Sequence, residues 1–462
     1  MNPDTWHADG QRLKTDAVKR HMDGDPAGAR QLYYQALILR PDDAEIWTNL
    51  GTAHRALKQH DAALAAQRAA FERDPGNPVV RNNLCNALDD LGFHDEAVPL
   101  RREMLEGDPG SAKKQAALAR SLFQSGQVAE SEAVIQAAFR TGAPGADVSL
   151  EHAMQCLTKG NYGEGFRYYL HRRNAGLISL PHTSVERWTG QDPTGKSILV
   201  LPEQGFGDTV CFSRFLPYLK ERGATTHVLV RPPLQRLMQR MDGADTLLSD
   251  LRPGQPYDYW TSLMDIPVDH FHFRETIPDP VHLTLPDAAL KRAAQLTSAH
   301  AGKLKVGCCW RGSEGYERNE ARSMSHRDLL DMAALDGVQF FSLYKGPALD
   351  ALHADGSAAT ILDAGGSDAD LADCAAMIDA MDLVITTDTV TAHIAGSLGK
   401  PVWNLLHWEP FWLYGTDATR TPWYPTMRLY RQSRPGDWSQ VLDNVKADLI
   451  ARRDAAGGDT RG

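Results

Sequence analysis

Three residues late in the chain stand where an apolar strand ends in a short polar turn, the place at which α/β proteins bind anions. Asp388 and Thr389 follow the apolar run "DLVITT". His393 lies four residues further on, in a small-residue helical stretch ending at Gly399 and Pro401. A hydroxyl, an imidazole and the free backbone N–H groups of a helix start can converge on a diphosphate, with the helix dipole favouring the negative charge. A plain helix cap beside a core histidine gives the same pattern.

Two further constellations have matching chemistry. In "EQGFGD", residues 203–208, Gly205 and Gly207 let backbone approach a ligand closely, and Asp208 opens the next helix. Asp208 could cap that helix, or act as a general base held ionised by the helix N-terminus. Glu203 is the second choice of base. The segment is neither a GxGxxG fingerprint nor a P-loop. In "WRGSEGYERNEARSMS", residues 310–325, Arg311, Arg318 and Arg322 form a cationic loop after an apolar strand. Guanidinium groups match phosphate oxygens through paired N–H bonds, which suits a leaving diphosphate. Lys345, after "QFFSLYKG", is a further cation of this kind. Glu314, Glu317 and Glu320 are interleaved, as in an ordinary solvated loop. The acidic "SDAD" at 367–370 reads as a hydrated loop, and no metal site is expected.

The elements that must position these groups alternate strand and helix from about Leu180 onward. "KSILVLPEQGFGD", "THVLVRPPL" and "DYWTSLMDIP" make one series ending near Pro286, and "DAALKRAAQLTSAH" reads as a linking helix. "KVGCCW", "GVQFFSLYKG", "DLVITTD" and "PVWNLL" make a second series. Two such series predict two doubly wound parallel sheets with a cleft between them. Trp438, Val441, Leu442, Val445 and Leu449 mark one face of a closing helix, and "DAAGGDTRG" reads as a disordered tail.

Ahead of the sheets lies a repeat. Pro41, Pro75 and Pro109 recur every 34 residues, in step with Ala29, Ala63 and Ala97 and with Ala36, Ala70, Met104 and Ala138. This is the tetratricopeptide period, in which small residues sit where paired helices cross. Weaker register through Gly165 and Tyr169 extends the array to about residue 175. Such stacks present a concave groove. Asn49 and Asn83 fall at equivalent positions of successive repeats, where their amides could bond the backbone of an extended peptide or simply face water.

Composition limits the alternatives. The 462 residues are 42% hydrophobic and 23% charged, and a formal charge of −10 argues against a protein that grips nucleic acid. Six cysteines show no CxxC pair and no Cys/His metal spacing, so they read as reduced, buried thiols of a cytoplasmic protein. The start "MNPDTWHADGQRLK" has no apolar signal core, and no run is long enough for membrane insertion.

In this order, "EQGFGDTVCFSRFLPYL", "VGCCWRGSEGYERNEARSM", "DLVITTDTVTAHIAGSLGKPVW" and "PWYPTMRLYRQ" resemble bacterial tetratricopeptide-repeat glycosyltransferases related to the ADP-heptose:lipopolysaccharide heptosyltransferases. The segment "NYGEGFRYYLHRR" is similar to that family's junction before the catalytic part. The resemblance implies a tetratricopeptide-repeat solenoid followed by a GT-B region of two Rossmann-like domains. It also implies a nucleotide-sugar co-substrate, no cofactor and metal-independent transfer. The family's proposed base maps onto Asp208, and its Asp-Thr-Gly-x-x-His donor motif onto Asp388, Thr389 and His393, with Val390 in place of the glycine. The implied divisions are 1–177 for the repeats, 178–288 for the acceptor-side domain, 289–435 for the donor-nucleotide domain and 436–462 for the closing helix and tail. A peptide groove joined to such a transferase points to Ser or Thr hydroxyls of a protein acceptor, flagellin or another surface protein among them. The alternatives are lipopolysaccharide or polysaccharide assembly, and a non-catalytic repeat scaffold. On the transferase reading, positive charge near His393 faces Asp208 across a sugar-sized gap.

Overall fold

The computed structural model describes residues 3–142, 144–176, 178, 185–251, 254, 256–316, 319–416 and 418–458. It divides into two compact units, Met1–Glu151 and His152–Gly462, so the division falls well ahead of the 177/178 boundary expected from sequence.

The first unit is a stack of antiparallel helix pairs. The pairs Ala44–Ala56 with His60–Arg73, Pro78–Asp90 with His94–Glu106, and Ala112–Gln124 with Val128–Arg140 repeat the 34-residue period. Each first helix starts at a capping side chain in phase with that period. Asp43 accepts from the N–H groups of Glu45 and Ile46, Asn77 from Val79, and Ser111 from Lys114. The in-phase alanines close the crossings: Ala29, Ala63 and Ala97 are at most 1% exposed. The fourth position in this series is Ser131, equally buried, whose hydroxyl donates to the Ala119 carbonyl at 2.7 Å. A hydroxyl is tolerated there because it is bonded.

The second unit holds the two sheets. Strands β1 (Glu186–Arg187), β2 (Ser197–Leu201), β3 (Thr225–Leu229), β4 (Thr246–Leu248) and β5 (Tyr259–Ser262) form an all-parallel sheet in the order β1-β5-β2-β3-β4. Strands β6 (Leu304–Cys309), β7 (Val338–Ser342), β8 (Ile361–Asp363), β9 (Leu383–Thr387), β10 (Val402–Leu406), β11 (Arg420–Thr421) and β12 (Tyr424–Arg431) form the other, in the order β11-β12-β10-β9-β6-β7-β8. Among the described residues, only the β11–β12 pair is antiparallel. The apolar runs β7, β9 and β10 are buried at every residue, as central strands covered on both faces must be.

In both sheets the chain reverses its winding direction beside the first long strand, between β2 and β5 and between β6 and β9. Ligands of open α/β sheets bind outside the carboxyl ends of the strands at such a point. Glu203 follows β2, while Arg311 and Asp388 follow β6 and β9.

Helix Tyr162–Tyr169, which the weak repeat register assigned to the array, packs in the second unit. Phe166 stacks on Phe271 at 5.5 Å between ring centres and meets Phe212, Phe215 and Trp412 edge-on. Aromatic packing of this kind outweighs a repeat register in deciding which core owns the helix. At the far end, helix Ser439–Gly458 buries Val441, Val445 and Leu449 and runs through most of the segment read as a disordered tail. Residues 459–462 lie outside the described residues.

Candidate functional site

The loop after β2 turns sharply. Gln204 has φ 58°, a left-handed conformation unusual for a side-chain-bearing residue, and its amide donates to the Tyr169 hydroxyl at 3.1 Å. Gly205 precedes helix Phe206–Phe212, and its N–H donates to Asp208 Oδ2 at 2.8 Å. Burial pushes the Asp208 carboxyl up to about 6. The Gly205 N–H lowers it and the Asp388 and Glu203 charges raise it further. The helix N-terminus therefore does not hold Asp208 at an ordinary carboxylate value, because desolvation wins.

Gly207, in the first turn of that helix, brings it against helix Val390–Ser397. A Cβ there would lie 2.5 Å from His393 Cδ2, so only a glycine lets the backbone reach the imidazole. At this point the helix start and the ring are in contact, and the sugar-sized gap expected from sequence is absent between Gly207 and His393. His393 is 8% exposed and shares a 3.1 Å hydrogen bond between Nδ1 and the Tyr424 hydroxyl. Burial holds its ring down to about 4, with Arg214 and Arg322 adding to the effect against the pull of Asp388. At neutral pH the imidazole is uncharged, so the positive charge of the corner comes from arginines.

Asp388 and Thr389 lie where β9 meets helix Val390–Ser397. Asp388 Oδ1 accepts from the Tyr414 hydroxyl at 2.7 Å, and its carbonyl accepts from Arg322 Nη1 at 2.7 Å. Thr389 does not cap the helix with its side chain. Its hydroxyl bonds the Thr386 hydroxyl at 3.1 Å. Arg322 lies over the Tyr316 ring at 4.2 Å, and Gly312 leaves room for its guanidinium, since a Cβ there would meet Nη2 at 2.4 Å.

The other predicted cations are spent differently. Arg311 is gripped by Glu314 (2.7 and 3.0 Å) and by Glu320, which together push its pKa up and cancel its charge locally. Lys345 donates to the Asp368 carbonyl. Arg318 lies outside the described residues. In "SDAD", Asp368 is paired to Arg292 at 2.7 Å and Asp370 to Arg236 at 3.3 Å, so both carboxylates face arginine partners.

Glu203, the second choice of base, is 4% exposed and committed elsewhere. Arg172 Nε and Nη2 donate to its two oxygens at 2.6 Å each, and Nη2 also reaches Asp265 at 2.8 Å. The pair fills the switch point of the first sheet. In the first unit, Asn83 donates to the Thr48 hydroxyl at 3.2 Å, and Asn49 is half-buried.

Several residues of this corner escaped the sequence reading. Arg214 is 1% exposed and spans both sheets' territory, donating to the carbonyls of Cys211 and Trp423 at 2.8 Å. Asn319 is 3% exposed, and its amide nitrogen has no partner among the described residues. Tyr414 and Tyr424 supply the hydroxyls that fix Asp388 and His393. Tyr424 belongs to "PWYPTMRLYRQ", which flagged the segment without assigning it a role.

A family model described as "Tetratricopeptide repeat" matches residues 44–77, the helix pair Ala44–Ala56 and His60–Arg73 with its closing turn. Protein FlbA of Caulobacter vibrioides is 27% identical over 454 residues, covering 92% of this chain and 76% of the relative. A glycosyl transferase family 9 structure from Veillonella parvula aligns with 58% of this chain and 98% of its own, at 13% identity and TM-score 0.43. A tetratricopeptide repeat protein structure from Parabacteroides merdae aligns with 37% of this chain and 68% of its own, at 18% identity and TM-score 0.33. Among the described residues, no helix is long and apolar enough to cross a membrane.

Proposed function

We propose that this chain is a glycosyltransferase that moves a sugar from a nucleotide-sugar donor onto a protein hydroxyl in the cytoplasm. The observation that carries the reading is Asp208, with a carboxyl raised to about 6, in the first turn of a helix whose Gly207 touches His393 of the Asp388–Thr389–His393 corner. A carboxylate with that value is a stronger base than an ordinary aspartate and is still ionised at neutral pH. The order of the sequence motifs supports the same reading.

In this mechanism Asp208 takes the proton of the acceptor hydroxyl as its oxygen bonds to the anomeric carbon. The bond from that carbon to the diphosphate oxygen breaks, and the electron pair leaves with the diphosphate. Arg322, the Thr389 hydroxyl and the N–H groups opening helix Val390–Ser397 meet the departing charge. One such preorganised donor is worth on the order of 3 kcal/mol. The repeats recruit the acceptor, whose Ser or Thr hydroxyl is the nucleophile. A bacterial surface protein such as flagellin is the acceptor class we favour.

The experiment is a panel of sugar nucleotides followed by Asp208→Asn. One donor is expected to be bound and turned over. The variant should lose transfer by at least about 100-fold while binding that donor within a few-fold of the parent. Loss of donor binding in the variant would remove the base assignment. Silence towards every donor would favour a scaffold.

A further inference from the structure

Helix Gly145–Thr158 carries His152 and Cys156 one turn apart, and Glu164 projects from helix Tyr162–Tyr169 onto the same spot. Residues four apart share a helix face, so the imidazole and the thiol point the same way. The three ligand atoms lie within 4.8 Å of one another. Both partners converge on one atom. His152 Nε2 is 3.1 Å from Glu164 Oε1 and 3.6 Å from Cys156 Sγ.

We infer that His152, Cys156 and Glu164 form a Zn²⁺ site, outside the transfer site and independent of it. Bond lengths of about 2.3 Å to sulfur and about 2.0–2.2 Å to nitrogen and oxygen, at tetrahedral angles, separate ligand atoms by roughly 3.3–3.6 Å. The two separations around Nε2 fall close to that range, and the third, from the thiol to the carboxylate, lies within 4.8 Å, so a metal would draw those two ligands together about the imidazole. Imidazole, thiolate and carboxylate together suit Zn²⁺, whereas Mg²⁺ and Ca²⁺ would select oxygen ligands alone. On binding, the thiol loses its proton to solvent and the thiolate bonds the metal. Asn161 already donates to the second Glu164 oxygen at 3.0 Å and orients the carboxylate, and the Tyr168 ring packs edge-on against His152 at 4.9 Å. Glu164 also lines a cavity of about 700 Å³ with Arg167, Trp188 and Asp269, and its side chain is 38% exposed, which opens the cluster to solvent on the carboxylate side. The bond would join the two helices that flank the turn at Gly160 and Asn161.

The sequence carries no CxxC pair and no paired Cys/His spacing that would announce a metal. A site made by one helical turn plus a carboxylate from the next helix has no such signature.

The test is metal titration of the full-length protein. The intact chain, exposed to Zn²⁺ and dialysed, should retain about one ion per molecule. Co²⁺ in its place should give the intense thiolate-to-metal charge-transfer absorption. Cys156→Ser should abolish that absorption and weaken Zn²⁺ binding by at least about tenfold. Glu164→Gln should weaken binding while keeping the absorption. If Cys156→Ser does not fold, His152→Gln serves instead, since it keeps the thiol but must weaken the metal by a similar factor. Failure to retain Zn²⁺, or a charge-transfer band that survives Cys156→Ser or binding unaffected by His152→Gln, overturns the site.

Discussion

Asp208 and His393 titrate in opposite directions from their ordinary values, and the two shifts have separate consequences. An aspartate normally ionises near 4. With the folded value at about 6, the base on our reading is disabled as pH falls below 6. We expect kcat/KM to fall by about tenfold per pH unit below that point and to be level above it, with Asp208→Asn removing the dependence. His393, held down to about 4, contributes no charge change anywhere near neutrality. For stability the signs follow from which state binds more protons. Across about pH 4 to 6 the folded Asp208 keeps a proton that the unfolded chain releases, so its contribution declines as pH rises. Between about 6.5 and 4 the unfolded chain protonates its histidine first, so the contribution of His393 declines as pH falls. Acid limbs of activity and of melting temperature therefore have different origins, and a profile of both from pH 4 to 8 separates them.

At the scale of elements, the switch point of the first sheet is filled by an ion cluster. Arg172 is 1% exposed and holds Glu203 and Asp265, which are themselves 4% exposed. Burial alone would lower the Arg172 pKa, but the hydrogen bond to Glu203 and the charges of Asp265 and Glu203 outweigh it and push it up. Removing the cation leaves two buried carboxylates partly uncompensated, although Arg173 and Arg187 still face Asp265. Arg172→Ala should therefore cost about 3–5 kcal/mol, read as a large drop in the denaturant midpoint. Because Glu203 leads into the helix that carries Asp208, transfer should fall more steeply than donor binding. The strands themselves were legible, since "SILVL", "LVITT" and "VWNLL" are apolar runs that announce their own ends. Asp388 and Thr389 were legible for the same reason, standing at the end of one. The Arg172 cluster was not, because its partners lie 31 and 93 residues away and arginine in "LHRR" has the look of a surface residue. The fate of Arg311 was equally hidden. Glu314 and Glu320 were visible in the loop, but whether they would neutralise it or face water depended on how the loop folds.

For the whole molecule, a protein acceptor on the proposed reading is recruited by the repeat array, and the array can be tested without disturbing chemistry. The candidate donor corner lies wholly within the unit His152–Gly462, and Asn49 and Asn83 lie within Met1–Glu151. An amide that bonds a peptide backbone contributes about 1 kcal/mol net. Replacing both by alanine should therefore raise the KM for a protein acceptor by at least about tenfold, with kcat and donor hydrolysis unchanged. Asn83 also donates to the Thr48 hydroxyl, itself bonded to Gln67 Oε1 at 2.7 Å, so the double variant should melt slightly earlier. A modest melting shift with an unchanged acceptor KM would assign these amides to the repeat interface alone. The raised KM should appear with protein acceptors and vanish with a simple sugar or water as acceptor, because only a protein offers the peptide backbone that these amides would bond. That split is the signature of recruitment by the repeats. An equal loss with every acceptor would instead place the defect in folding.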